Sequence, residues 1–333
     1  MSGVTAVRAD ELAALEFFGG CPAQTLRPLA AQLQPLVAEP GQVLMRQGET
    51  ALTFLLIGSG QAQVTHVGDD GSVTVSDLGP GVVVGEIALL RDKPRNATVV
   101  ATTELKGWAG NREAFAALLE LPEAMNRMVR TARQRLAAYI TPIEIALRDH
   151  LVLHLRPVLP GDNVRTVSGP IEFSSETLYR RFQSTRVPTP ALMAYLFEVD
   201  YVDHFVWVMT AGADGPVVAD ARFVREGHGA GTAEVAFIVA DIYQGHGIGT
   251  FLMDALAVAA HVGGVTRFTA RVLSDNYAMR AIMDRAGAHW VRDDLNVVIT
   301  EVDVPAAESL SLRPEIYQEI AEMARRTMRS VSW

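Results

Sequence analysis

Two groups of residues in this chain have types and spacings that could do chemistry. The first is Gln244-Gly245-His246-Gly247-Ile248-Gly249, a Q-x-x-G-x-G run between an apolar stretch and a helical one. Glycines at a strand-to-helix turn let main-chain N–H groups approach a phosphate, and the helix N-terminus adds partial positive charge. This predicts a pyrophosphate-bearing ligand at residues 244–249. The loop lacks the Lys-Ser/Thr ending of a P-loop, and its glycine spacing is not the dinucleotide fingerprint. The second group is Glu86 and Arg95 within V-G-E-I-A-L-L-R-D-K-P-R-N-A-T-V, Val84 to Val99. N–H groups at the start of a short helical turn, Glu86–Leu90, can meet an anion, and a guanidinium can hold a phosphate by two bonds. An ionised Glu86 only accepts, which suits a sugar hydroxyl. Aimed into one pocket, the two would bind a cyclic phosphoribose.

The elements around these groups differ in kind. Glu234 heads the apolar run Val235–Ala240, which fits a strand covered on both faces. Phe251, Leu252, Ala255, Leu256 and Ala259 then recur at helical spacing. Around the second group, short β-rich segments (Gln42–Met45, Thr53–Ile57, Ala62–His66, Val73–Leu78, Thr98–Thr102, Leu105–Trp108) alternate with glycines. That spacing suggests a small barrel or jelly roll. One or two short helices precede it in residues 9–33. Leu121–Ile140 reads as an amphipathic helix, with Arg135 on the edge of its apolar stripe.

From about Ile145 an α/β pattern begins. Leu151–Leu155, Asp203–Thr210, Val217–Phe223, Thr232–Val239, Arg267–Leu273 and Trp290–Ile299 read as strands. Ser174–Arg181 opens with a Ser/Glu capping signature, and Asn276–Gly287 reads as a helix. Pro314–Met328 has helical spacing too, either packed on one domain or covering an active site. The fold class is therefore α+β in two domains: residues 1–140 with the linker helix, 141–304, and a tail, 305–333.

The chain has 333 residues, 49% hydrophobic and 20% charged, with a formal net charge of −9. Such a charge argues against a nucleic-acid partner, which would ask for a basic surface. Cys21 is the single cysteine, so no internal disulfide can form and a reducing compartment is expected. No run approaches the roughly 18–20 apolar residues of a membrane span, and the N-terminus shows no apolar signal core. A cytoplasmic protein with no membrane partner and no metal is expected.

Val84–Val99 resembles the phosphate-binding cassette of cyclic-nucleotide-binding domains, and the similarity extends over roughly residues 10–110. The resemblance implies that Arg95 holds the cyclic phosphate of cAMP and Glu86 the ribose 2′-hydroxyl. It further implies backbone donors at Gly85, Ala88 and Asn96, with Ile87 and Ala97 beside them, and a polar or stacking side chain from the following helix, for which Arg135 is the candidate. Asn96 departs from the common residue after the arginine and leaves the choice between cAMP and cGMP open, with cAMP expected.

The Q-x-x-G-x-G loop resembles the acetyl-CoA loop of the GNAT acyltransferase superfamily. F-S-S-E-T-L-Y-R-R-F (Phe173–Phe182) and V-D-Y (Val199–Tyr201) resemble the Pat-type bacterial protein lysine acetyltransferases. Together the two halves are similar to the actinobacterial, mycobacterial-type family of cAMP-regulated lysine acetyltransferases. This implies acetyl-CoA bound by Ile238, Val239, Gln244, Gly245, Gly247, Ile248, Gly249, Thr250 and Asn276, the strand splaying open so that main-chain groups of Ile238 and Val239 pair with the pantetheine. It implies Glu234 as general base, its pKa raised by partial burial, and an oxyanion contact from the N–H of Val239 or its neighbour. The substrates implied are proteins with a reactive lysine, such as acyl-CoA synthetases or stress proteins. Met283 stands where the family often has a tyrosine acid, so no general acid is named. His246, Asp241 and Asp275 are read as exposed loop, turn or cap residues. Two alternatives stay open: acetylation of a small-molecule amine, and a cAMP sensor whose transferase half is inactive.

Overall fold

The computed structural model describes residues 9–68, 71–162, 171–184, 189, 192, 196–197 and 199–329. It divides into two compact units, the break falling between Arg135 and Leu136.

The first unit opens with α1 (Ala9–Ala13) and α2 (Ala23–Ala30). Eight strands follow: β1 (Gln34–Ala38), β2 (Val43–Met45), β3 (Thr53–Ser59), β4 (Ala62–Val67), β5 (Val73–Leu78), β6 (Val83–Val84), β7 (Thr98–Ala101) and β8 (Leu105–Asn111). They form two four-stranded antiparallel sheets, β1-β8-β3-β6 and β2-β7-β4-β5, in the jelly-roll manner expected. A helical turn, α3 (Glu86–Leu90), lies between β6 and β7, as the spacing predicts. Leu55, Ile57, Val64, Val84, Val99 and Leu105 fill the barrel. Two helices close the unit, α4 (Arg112–Leu119) and α5 (Ala124–Ala137). α5 starts later than its apolar stripe suggested, because Pro122 and the left-handed Glu123 (φ 60°) precede it.

The second unit is one eight-stranded sheet. β9 (Ile143–Ala146) and β10 (Val152–Pro157) lead to α6 (Ser175–Phe182), then to β11 (His204–Thr210), β12 (Val217–Arg225) and β13 (Thr232–Val239). α7 (Ile248–Gly263), β14 (Arg267–Leu273), α8 (Tyr277–Asp284), the hairpin β15 (Val291–Asp294) and β16 (Val297–Asp303), and α9 (Pro314–Met328) complete it. The strand order is β15-β16-β14-β13-β12-β11-β10-β9, with β13 and β14 the only parallel neighbours among the described residues. β11 is buried along its whole length. Side chains alternate across it. Trp207 faces α7, donating from Nε1 to the Ala255 carbonyl at 3.0 Å, while His204 faces the other way, toward Arg222.

Several expectations need correcting. β1, β6 and β9 are short strands that the sequence pattern did not reveal. The single strand expected at 290–299 is a hairpin. Of the two readings of the tail helix, packing on one domain holds: Ile320, Ala321, Met323, Ala324 and Met328 are buried in the core of the second unit, against α7. The sheet of the second unit starts soon after Thr141, with Ile143–Ala146 antiparallel to β10. The last four residues of the tail lie outside the described residues.

V-D-Y has a structural task. One Asp200 carboxylate oxygen accepts from the N–H groups of Val202, Asp203 and His204, and Tyr201, fully buried, donates to the Val158 carbonyl at 2.5 Å.

Candidate active site and nucleotide pocket

β13 keeps its antiparallel partner β12 from Ala233 to Val239 but pairs with β14 only at Thr232, Ala233 and Glu234. Beyond Glu234 the two parallel strands part, as expected. In an antiparallel ladder hydrogen-bonded and non-bonded pairs alternate. The N–H of Ala240 bonds the Val218 carbonyl at 2.8 Å. It follows that the main-chain groups of Ile238 turn toward β12, whereas those of Phe237 and Val239 face the opening. The sequence reading gave this role to Ile238 and Val239; Ile238 contributes its side chain instead. The Val239 carbonyl is taken by Gln244 Nε2 at 3.1 Å, which leaves its N–H directed into the gap.

The gap opens into a cavity of about 460 Å³. All nine positions expected at the cofactor line it. Gly245 and Gly247 adopt left-handed φ of 85° and 84°, and Gly247 caps the 16-residue helix α7. A Cβ on Gly247 would point into the cavity, 3.7 Å from Arg148 Nε. A Cβ on Gly249 would instead stand 2.7 Å from Ile282 Cδ1, so that glycine serves the packing of α7 on α8. Ile248 is buried and offers only its main chain. Asn276 caps α8, its side-chain oxygen accepting from Met279 N–H at 3.2 Å. Met283 is fully buried in the core.

α6 forms the opposite wall. Its predicted cap is present: Ser174 Oγ accepts from Thr177 N–H at 3.1 Å. Asp241 ties this helix end to the loop, accepting from Ser174 N–H, Ser174 Oγ and Thr177 Oγ1 at 2.8 Å each. Burial pushes the Asp241 carboxyl up, but the bonds from Ser174 and Thr177 outweigh it and hold it below its ordinary value. Asp241 is thus a turn residue, as read, and it holds the Ser174 cap of α6 against the loop. The cavity residues that were not expected at the cofactor include Arg148, Thr177, Arg181 and Tyr243. Thr177 and Arg181 had a usable signal, their place on the α6 motif.

Glu234 shares a sheet face with Asp220, Arg222 and His204, because register puts Val224 opposite both Glu234 and His204. Asp220 and Arg222 are buried and paired at 2.9 Å. Arg181 is half-buried beside them. Its pKa is pushed down to about 10 by burial and by the Arg222 guanidinium, against the pull of Asp220 and Glu234. Glu234 itself is exposed, so the partial burial expected of it is absent. It stands at the last residue of β13 that β14 still pairs and does not line the cavity, whose β13 wall is Phe237, Ile238 and Val239.

His204 supplies a prediction. Burial, then Arg222 and Arg181, push its pKa down from 6.5 to about 3. The unfolded chain therefore binds the extra proton between those values. Stability from this ring is complete above about pH 6.5 and falls as pH drops toward 3. Acidification from pH 7 to 5 should cost the second unit about 2 kcal/mol through His204. Denaturant unfolding at both pH values should show a smaller loss in His204→Gln; equal losses would contradict this.

In the first unit, Gly85 (φ 85°) caps α3. A Cβ there would lie 2.6 Å from both Arg95 Nη1 and Met45 Cε, so only glycine fits. Arg95 is 6% exposed; Nη1 donates to the Gly85 carbonyl at 2.9 Å and Nη2 to the Thr53 carbonyl at 2.5 Å. Burial lowers its pKa, while Glu86 and Glu49 oppose that. Glu86 is 1% exposed. Its Oε1 accepts from Arg135 Nη1 at 2.5 Å, and its Oε2 is buried without a partner. Arg135 Nη1 also reaches the Val83 carbonyl at 2.8 Å. Arg135 thus meets Glu86 as a polar partner. A cavity of about 440 Å³ adjoins Glu86 and Arg135, lined also by Val83, Met128 and Thr131. Arg95 does not line it. Ile87, Ala88 and Ala97 are buried around the turn, and His66 Nδ1 donates to the Asn96 carbonyl at 2.5 Å.

Both sites fit the ligands implied for them. The orphaned oxygen of Glu86 suits a hydroxyl, and the Arg95 guanidinium beside Gly85 is the cation for a phosphate. The parted strands, glycine loop and helix N-terminus suit a pantetheine and diphosphate.

Comparison with known proteins adds the following. A family model described as cyclic nucleotide-binding domain matches residues 35–121. One described as acetyltransferase (GNAT) domain matches residues 153–289. The chain is 63% identical over 332 residues to Acetyltransferase Pat of Mycolicibacterium smegmatis, covering 100% of both chains. It is 43% identical over 91 residues to a cAMP-dependent protein kinase regulatory subunit of Yarrowia lipolytica, which is 27% of this chain and 24% of that one. A solved structure of a cAMP-binding acyltransferase from Mycobacterium smegmatis aligns over 100% of both chains at 58% identity with a TM-score of 0.54. That acyltransferase has also been solved as R95K and E234A mutants.

Proposed function

The chain belongs to the family of Acetyltransferase Pat, and from that premise we propose that it transfers acetyl from acetyl-CoA to lysine ε-amines of proteins under the control of cAMP. The observation that carries this reading is the parting of β13 from β14 just after Glu234, beside a cavity that holds the glycine loop. A free lysine amine has a pKa of about 10.4, so near neutrality it arrives protonated. The exposed Glu234 carboxylate can take that proton directly or through water. The Val239 N–H donates to the thioester oxygen as charge builds there. Loop N–H groups and the α7 N-terminus hold the diphosphate. Asn276 can offer its remaining amide hydrogens to the pantetheine arm.

In the first unit, Arg95 would hold the cyclic phosphate and Glu86 Oε2 the ribose hydroxyl. Cyclic AMP raises the transfer rate only if it binds two conformations differently. α5 is the element proposed to respond, because Arg135 on it already engages Glu86.

Gly247→Val tests the cofactor assignment. A branched side chain at φ 84° would enter the cavity and displace the loop N–H groups. Calorimetry should show acetyl-CoA affinity reduced roughly 100-fold, the loss of one or two charge-assisted hydrogen bonds. Unchanged affinity in a folded variant would refute the assignment. The class of acceptor is tested by incubating the protein with radiolabelled acetyl-CoA, cell lysate and cAMP. Label on protein lysines supports the proposal. Label confined to small molecules makes the protein a small-amine acetyltransferase, and no turnover makes it a sensor.

A further inference from the structure

The Gln244–Gly249 loop brings N–H groups but no cation to a diphosphate, since it lacks the lysine of a P-loop. The structure brings one from elsewhere. Arg148 stands at the tip of the tight turn between β9 and β10, closed by the Leu147 N–H on the Leu151 carbonyl at 2.8 Å. Its Nε and Cδ lie 3.7 and 3.8 Å from where a Cβ on Gly247 would be, and it lines the same cavity as the loop. Its side chain is exposed, and among the described residues nothing pairs with its guanidinium.

The turn is held in place from both sides. Asp149 and His150 take left-handed φ of 58° and 60°, which fixes the direction in which Arg148 leaves the turn. His246 Nδ1 in the glycine loop donates to Asp149 Oδ2 at 3.2 Å, across 97 residues of sequence. A loop residue therefore latches the turn, and the latch sets the arginine beside the helix N-cap. In a chain of net charge −9, an unpaired guanidinium at this point has an anion as its natural partner.

We propose that Arg148 is a ligand for the diphosphate of the acyl-CoA donor, positioned over the glycine loop by the Asp149–His246 pair. This rests on reading the second unit as an acyl-CoA site. The diphosphate is assigned, and not the ribose 3′-phosphate, because the guanidinium lies against Gly247, where the α7 N–H groups converge.

The test measures the affinity of the full chain for CoA and for 3′-dephospho-CoA by calorimetry. Arg148→Gln should weaken both equally, by about 10- to 100-fold. Asp149→Asn, which can keep the left-handed backbone, should weaken both by a smaller factor, and the double variant should be no weaker than Arg148→Gln alone. Loss confined to CoA would assign Arg148 to the 3′-phosphate and overturn the proposal. Unchanged affinity for both ligands would make Arg148 a surface residue and also overturn it. If the unaltered chain binds neither ligand, the acyl-CoA reading fails as well, so the two failures are distinguishable.

Discussion

Replacing Glu234 by alanine is expected to slow acetyl transfer at neutral pH by roughly 10²–10⁴-fold, the usual share of a general base. The side chain is exposed at the edge of the opening, so its loss should leave the sheet intact. Acetyl-CoA affinity should hold, because the glycine loop and the Val239 main chain are untouched. Much of the lost rate should return at high pH, as the lysine approaches its own pKa of about 10.4 and deprotonates unaided. The pH profile of kcat, with calorimetry on acetyl-CoA, checks both parts. A variant with full rate at neutral pH would remove Glu234 from the mechanism.

The second large effect concerns Arg95. Its guanidinium already bonds the Thr53 and Gly85 carbonyls, so Arg95→Ala would also lose two structural hydrogen bonds, at a cost of about 1 kcal/mol each. Arg95→Lys is the cleaner variant. It keeps the charge and loses the planar fork that grips a phosphate by two bonds. Affinity for cAMP should fall about 10- to 100-fold. At a cAMP concentration that saturates the unaltered protein, the ratio of rates with and without nucleotide should drop toward one. Equal cAMP affinity in the unaltered protein and Arg95→Lys would take Arg95 out of the nucleotide site.

Elements with strong local signals were legible in the sequence. β13, β14 and α9 match their expected spans residue for residue, because an apolar run, an apolar–polar alternation and a sustained helical period mark them in turn. Short edge strands such as β9 carry too few residues to show a period. The hairpin at 291–303 turns at Leu295-Asn296 without glycine, so it read as one strand. The site divided the same way. The glycine loop, Glu86, Arg95 and Glu234 were visible because each sits in a local motif. Arg148 and the Glu86–Arg135 pair were not, because their partners lie 99 and 49 residues away and only the fold brings them together. The burial expected of Glu234 failed for a related reason. It depends on what covers the end of β13, which no local pattern records.

In the proposed function, cAMP governs acetyl transfer to protein lysines. The most direct measurement is the initial rate of lysine acetylation on one purified protein substrate, at fixed acetyl-CoA, with and without saturating cAMP. Couplings between sites are typically about 1–3 kcal/mol. The account predicts a rate about 5- to 150-fold higher with cAMP, with the label on lysine side chains. Equal rates with and without cAMP, or no label on the protein, would contradict it.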